Sequence, residues 1–185
     1  MKDLGTKTLI TDRLILRKFT SYDVDGMYNN WGADYNTSGM LSWDVHESKD
    51  YTLGIIANWI KEYSEPYNFN WIVELKETKE VIGNISCIKC RVSDEICEIG
   101  YSYGSKFWGN GYASEALKAV IHFLINEVGM RLVEAAHISE NMASGRVMEK
   151  AGMKKDTVLR SRRINKLTKN VNDLFVYSIT KNELV

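Results

Sequence analysis

One segment constrains the fold of this chain more than any other. A β-prone run over residues 95–103 leads to the turn Gly109-Asn110-Gly111, then to a long amphipathic stretch, and then to a second β-prone run over 131–138. Spacing fixes the middle piece as a helix. Ala113, Ala116, Leu117, Val120, Ile121, Leu124, Ile125 and Val128 recur three and four residues apart as one apolar stripe, and Gly129 follows as a C-terminal cap. Strand, helix and strand in that order predict a right-handed crossover with the two strands as parallel neighbours.

Residues 8–19, which contain Leu-Ile-Leu-Arg, read as a strand, and Thr20-Ser21-Tyr22-Asp23 as the capped start of a helix. A loop rich in Gly, Asn and Trp is expected over 29–45. Tyr51, Ile55, Ile56, Trp59, Ile60 and Tyr63 predict a second helix over 47–63, closed by Pro66. Runs at 69–76, 81–91 and 95–103, joined by short polar turns, predict an antiparallel meander. A short helix over 142–150 and a β pair at 153–164 and 171–180 complete the chain. The expectation is an α+β fold: a mixed, mostly antiparallel twisted sheet with a central βαβ unit and flanking helices. No repeat, low-complexity tract or linker divides the sequence, so residues 1–185 are read as a single domain.

Composition excludes several function classes. Lys and Arg number 24 and Asp and Glu 24, against a dedicated DNA-binding role. The opening MKDLGTKTLI has no apolar core, and the apolar run near Ala119 to Ile125 is interrupted by His122, so neither a signal peptide nor a membrane span is expected. Cys87, Cys90 and Cys97 are odd in number and are read as free thiols, which suits the cytoplasm. On a strand, Cys87 and Cys90 face opposite ways, so no metal site is expected.

The chemistry lies in Trp108-Gly109-Asn110-Gly111-Tyr112-Ala113-Ser114, between a strand and the first turn of the long helix. The two glycines allow close backbone approach, and the free N–H groups and dipole of the helix start favour an anion, here a phosphate. A P-loop is excluded because no Gly-Lys-Ser or Gly-Lys-Thr follows. A dinucleotide fingerprint is half met, with Ser114 at the third glycine and Glu134 downstream as a ribose ligand. Against it, about half the chain precedes the motif.

TDRLILRKFT, EIGYSYGSKFWGNGYASEAL, ISENMASGRVMEKAGM and YSIT, in that order, resemble the GNAT superfamily of acetyl-CoA-dependent N-acetyltransferases, and within it the ribosomal-protein N-terminal acetyltransferase type. The resemblance implies the GNAT fold with acetyl-CoA as co-substrate and no metal. It implies that Trp108, Gly111 and Ala113, with Gly109, Asn110, Tyr112 and Ser114 beside them, hold the CoA pyrophosphate, Trp108 standing where Gln or Arg is usual. It also implies that the strand before the loop splays from its parallel neighbour. The pantetheine arm would then lie against Gly100, Tyr101, Ser102 and Tyr103, where a backbone N–H stabilises the oxyanion.

For catalysis the resemblance points to Glu98 as a base acting through water. The tyrosine that many relatives use as the acid is replaced here by Met148. Asn141-Met142-Ala143-Ser144 resembles the N-x-x-S signature, with Asn141 on the pantetheine and Ser144 near the sulfur as the proton source; both also suit a helix cap. Gly145 inside that helix suggests a close backbone approach, and Arg146 is a candidate cofactor contact. The acceptor is a primary amine, either a protein N-terminus or a small amine such as an antibiotic, polyamine or amino acid. A homodimer is compatible with the sequence. The alternatives are a non-catalytic CoA-binding sensor and a dinucleotide-binding protein.

Tyr28, Trp31, Tyr35, Trp43 and Trp59 are candidates for an acceptor pocket or for core. Asp23, Asp25, Asp34, Asp44, Glu47 and Asp50 form an acidic stretch expected to rim the acceptor side and favour a cationic amine. The basic stretch from Arg146 to Lys169 is expected to be mostly a solvated hairpin. His122 is expected in solvent, and His137 as structural or assisting proton transfer.

Overall fold

The computed structural model describes residues 1–41 and 43–184. Strands β5 (Ile96–Tyr103) and β6 (Leu132–Ile138) run parallel, joined by helix α4 (Tyr112–His122) and a wider helical turn over Phe123–Val128 that ends at Gly129 with φ 90°. This is the expected crossover. Around it an eight-stranded sheet has the order β1-β2-β3-β4-β5-β6-β8-β7, with every other pairing antiparallel. The remaining strands are β1 (Leu9–Ile10), β2 (Leu14–Arg17), β3 (Asn70–Leu75), β4 (Val81–Arg91), β7 (Lys154–Ile164) and β8 (Val171–Thr180). The other helices are α1 (Val24–Met27), α2 (Tyr35–Ser38), α3 (Lys49–Glu62) and α5 (Met142–Lys150).

Both faces of the sheet are covered, which is why β3 is a continuous apolar run rather than an alternating one. Its Trp71 and Val73 join the larger core beneath α4, with Leu117, Val120, Ile121 and Leu124, while Ile72 faces a second core of Phe19, Met27, Trp31, Ile56 and Val81 under α1 and α3. At the far edge β7 is exposed along nearly its whole length, and its lysines and arginines keep an open edge strand from pairing with another sheet.

Three expectations are corrected. Residues 8–19 are not one strand but a tight hairpin of β1 and β2: Thr11 N–H donates to the Leu14 carbonyl at 3.1 Å and Leu14 N–H to the Thr11 hydroxyl at 3.0 Å, and Glu115 of α4 grips the turn, accepting from the Thr11 hydroxyl, the Arg13 N–H and Arg13 Nε at 2.5, 2.9 and 2.7 Å. The expected loop at 29–45 is partly helical: α1 continues as a wide turn over Tyr28–Gly32 that buries Trp31, and Asp34 caps α2 by accepting from Asn36 N–H. Cys87 and Cys97 are not free thiols; they are joined as a disulfide between β4 and β5, leaving Cys90 as the free cysteine among the described residues. Among the described residues no helix is long and apolar enough to cross a membrane.

Candidate active site

Parallel pairing of β5 with β6 stops at Ile99 opposite Ala135, although both strands continue. Beyond that point β5 stays bonded to β4 as far as Tyr103, and β6 to β8 as far as Ile138. The two strands therefore diverge into a V. Alternate N–H and C=O groups of Gly100, Tyr101, Ser102 and Tyr103 face the gap with no strand to meet them. A cavity of about 850 Å³ fills the V, within the range of small-molecule sites.

One end of the cavity is built by the Gly-rich turn. Gly109 and Gly111 both have φ of 81°, a left-handed conformation that side-chain-bearing residues avoid, and Gly111 is the N-cap of α4 with no side-chain cap. The first N–H groups of α4 thus lack intrahelical acceptors and open towards the cavity. Trp108 is half exposed and donates from Nε1 to the Tyr103 carbonyl at 2.7 Å, locking the turn to the end of β5. Arg13 stacks over the Tyr112 ring at 4.6 Å and donates to the Asn110 carbonyl at 3.0 Å. An anion and an extended arm fit this end on chain geometry alone.

At mid-cavity, Asn141 caps α5, its side-chain oxygen accepting from Ser144 N–H at 3.2 Å. The Ser144 hydroxyl lies 2.7 Å from the Tyr101 hydroxyl, which also donates to the Ser144 carbonyl at 3.1 Å, so one phenol bridges the V. Burial pushes the Tyr101 phenol up, with the Ser144 bond opposing, so it stays protonated. Met148 is in the core. Gly145 lets α5 approach β6 closely: a Cβ there would fall 2.7 Å from His137 Nε2 and 3.2 Å from the Tyr177 hydroxyl. His137 itself is buried, stacked on Phe175, and donates from Nδ1 to the Ile138 carbonyl at 2.9 Å. Burial keeps it neutral. His122 is exposed beside Asn126.

Every expected site residue except Asn110 lines this one cavity: Glu98, Gly100, Tyr101, Ser102, Tyr103, Trp108, Gly109, Gly111, Tyr112, Ala113, Ser114, Asn141, Ser144 and Arg146. Asn110 turns back on its own loop, donating to the Phe107 and Trp108 carbonyls. Glu98 is half-buried, opposite Lys89 on β4 and Glu134 on β6. Glu134 does not fit a ribose ligand, because Arg91 holds it at 2.9 Å and it lies outside the cavity wall.

The other end is assembled from distant pieces. Trp43, His46, Tyr51 and Trp59 come from the region before and within α3; Arg163 and Asn165 come from the β7–β8 hairpin. The hairpin tip is held in place by Glu140, which accepts from Asn165 and Asn170 side chains at 2.5 and 2.7 Å, and by the Lys166–Asp44 ion pair at 2.9 Å. Of the expected acidic rim only Asp44 lines the cavity. Asp23 is buried against Arg17 instead, Asp25 pairs with Lys49, and Asp34 is occupied by Ser105 N–H and its own helix. The carboxylates that line the cavity as a whole come from Asp44, Glu62, Glu98 and Glu140.

Two contributions carry no local sequence signal: the Tyr101 hydroxyl on Ser144 and the Arg13 clamp on the Gly-rich turn join residues 43 and about a hundred positions apart. Among the described residues no three His, Cys, Asp or Glu side chains gather closely enough to hold a metal.

Comparison with known proteins agrees with this geometry. The chain is 32% identical over 173 residues to the uncharacterized N-acetyltransferase YoaA of Bacillus subtilis (strain 168), covering 94% of this chain and 96% of that one. It is 30% identical over 161 residues to the [ribosomal protein uS5]-alanine N-acetyltransferase of Escherichia coli (strain K12), covering 80% and 78%. It shares its fold with the microcin C7 self-immunity acetyltransferase MccE, solved in complex with acetyl-CoA and AMP, at a TM-score of 0.80 and 18% identity over 92% of this chain and 93% of that one. Residues 13–154 match the family described as Acetyltransferase (GNAT) domain, and the chain belongs to that family of N-acetyltransferases.

Proposed function

We propose that this chain, acting as a single domain, transfers the acetyl group of acetyl-CoA to a primary amine, both substrates being bound together. The V between β5 and β6 carries this reading. It offers an unpaired strand edge of the length of an extended arm, with free helix N–H groups at one end and a protonated hydroxyl pair in the middle.

The backbone of Gly109, Gly111, Tyr112, Ala113 and Ser114 holds the pyrophosphate, with Trp108 and Asn110 shaping the turn and Arg146 on the remaining phosphate charge. Gly100, Tyr101, Ser102 and Tyr103 pair with the arm, and one of their N–H groups polarises the thioester carbonyl. Asn141 has its amide N–H groups left to hydrogen-bond the arm while its oxygen caps α5. Glu98 receives a proton from the attacking nitrogen through water. Ser144 alone is a poor acid by its ordinary pKa; bonded to the Tyr101 hydroxyl it becomes one end of a two-hydroxyl relay to the leaving thiolate. The relay supplies a tyrosine hydroxyl from β5 that Met148 cannot supply from α5.

A protein N-terminal amine is the favoured acceptor, by likeness to the uS5-alanine enzyme. A small amine is the second reading, supported by the walled and aromatic acceptor end. We place the reaction in the cytoplasm on its need for acetyl-CoA, the free-thiol ground having fallen with the Cys87–Cys97 bond.

Thermal unfolding with acetyl-CoA, CoA and NAD in turn tests the donor. At a ligand concentration about 100-fold above Kd, linkage adds about 2.7 kcal/mol, a rise in Tm of roughly 5–10 °C for a chain of this size. Both CoA species should shift Tm and NAD should not; no shift with either CoA species overturns the reading. Binding without mass-detected acetylation across N-terminal peptides and small amines would identify a sensor instead.

A further inference from the structure

We infer that His46 is the acceptor-side proton acceptor, receiving its proton from a primary ammonium that enters between Trp43 and Tyr51. The inference rests on the acetyl-transfer reading and extends it to the side of the cavity opposite the donor.

The proton count calls for such a group. An amine arrives as R–NH3⁺ and leaves as an amide N–H, so two protons leave nitrogen while the C–N bond forms and the C–S bond breaks. Sulfur takes one proton from Ser144, Ser144 is refilled from Tyr101 and Tyr101 from water, while Glu98 takes one proton from nitrogen. The other nitrogen proton must leave before attack, because an ammonium has no lone pair.

His46 is built for that step. It is 4% exposed yet lines the cavity wall. Its Nδ1 lies 2.9 Å from the Thr52 hydroxyl, which spends its single hydrogen on the Ser48 carbonyl at 3.1 Å. Nδ1 is therefore the protonated nitrogen, and Nε2 carries a free lone pair. Nε2 has no partner among the described residues. The Nδ1 edge packs on Gly32, where a Cβ would fall 2.6 Å from Nδ1, so the opposite edge is the one left for the cavity. The rings of Trp43 and Tyr51 flank the imidazole at 5.2 and 5.3 Å, suited to an ammonium docking beside Nε2.

Burial lowers the His46 pKa, so the ring rests neutral with its lone pair open and gives the proton up readily once it has taken it. Tyr51 of α3 is the titratable group in ring contact; Asp44, of the same loop, is paired with Lys166, Glu47 is exposed, and Gly32 brings no charge. After the step the imidazolium passes its proton to water at the cavity mouth.

The experiment uses the full chain with acetyl-CoA bound, and benzylamine and the tripeptide Ala-Ser-Ala amide as probes. Nitrogen NMR of the histidines, assigned with His46→Gln, should show His46 protonated on Nδ1 alone at pH 7, with Nε2 shifting when a probe is added. His46→Gln should lower kcat/KM for whichever probe is turned over by about 100-fold at pH 7. The deficit should shrink as pH rises towards the amine's own pKa, and the acetyl-CoA shift in Tm should be unchanged. Thr52→Val, which removes a positioning residue, should move the pH profile in the same sense by a smaller amount. A proton on Nε2, an Nε2 signal indifferent to both probes, or an unchanged pH profile in His46→Gln overturns the inference. Loss of the acetyl-CoA shift in the unsubstituted chain would instead overturn the acetyl-transfer reading beneath it.

Discussion

Replacing Gly145 by alanine and, separately, Gly54 by alanine makes one chemical change in two helices, with opposite expected signs. Each substitution gains about 1 kcal/mol of helix propensity. Gly54 is exposed in α3 and a Cβ there meets nothing within 4 Å, so the gain is kept. At Gly145 the new Cβ would lie 2.7 Å from His137 Nε2, and that ring is clamped by Phe175, with centroids 5.1 Å apart and planes within 8°. It cannot swing aside, and overpacking of this kind costs about 1–3 kcal/mol. The difference between the two variants isolates the steric cost, about 2 kcal/mol, and should separate their Tm values by roughly 4–8 °C. Thermal unfolding with urea titration in parallel reads it directly. Equal stabilisation by the two alanines would show that close approach of α5 to β6 is not what reserves Gly145 for glycine, and would refute the reasoning.

Tyr101→Phe removes one hydroxyl of the proposed relay; kcat should fall about 100-fold with KM for acetyl-CoA little changed, and unaltered steady-state kinetics would argue that Ser144 needs no partner. Asp23→Asn removes the carboxylate that accepts from Arg17 at 2.8 and 2.9 Å and from Thr20 N–H at 2.7 Å, and should cost about 3 kcal/mol at pH 7, the lower side of a buried pair because Arg17 keeps Glu74. Burial alone would raise the Asp23 carboxyl, but Arg17 and Thr20 together hold it below 3.8. Its contribution is therefore present above that pH and lost as pH falls further, so urea unfolding should show the two proteins converging in acid. Glu115→Gln loosens the hold on Thr11 and Arg13, and hence on the Gly-rich turn. It should weaken CoA binding about tenfold by calorimetry, or about 1.4 kcal/mol.

What was legible in the sequence was what local periodicity writes down. The α4 stripe, the β4 and β8 runs and the α5 boundaries all coincide with the elements observed, because each is decided by residues within a few positions of one another. The Gly-rich turn was legible for the same reason, and with the family resemblance it located the whole donor side of the cavity. What failed was decided at a distance. The Cys87–Cys97 bond depends on strand pairing, and the acidic stretch before α3 was dispersed by partners such as Arg17, Lys49 and Lys166; the β1–β2 turn is closed locally between Thr11 and Leu14 but anchored by Glu115, a hundred residues away. Charge read along a chain does not say which carboxylates a fold will spend on itself.

The unequal construction of the two cavity ends has a consequence for how such a chain changes over generations. The donor end is nearly contiguous, running from Glu98 to Arg146, and its hydrogen bonds are mostly backbone or to neighbours in the crossover. The acceptor end is a meeting of the region before and within α3 with the β7–β8 tip, the two tied at the surface by the exposed Lys166–Asp44 pair. Such a pair contributes about 0–1 kcal/mol, so the exposed faces of the two segments can be rewritten without endangering the sheet while Trp43, His46 and Trp59 keep their packing. Lineages built on this plan can inherit one donor chemistry intact while trading acceptors by replacing two loops.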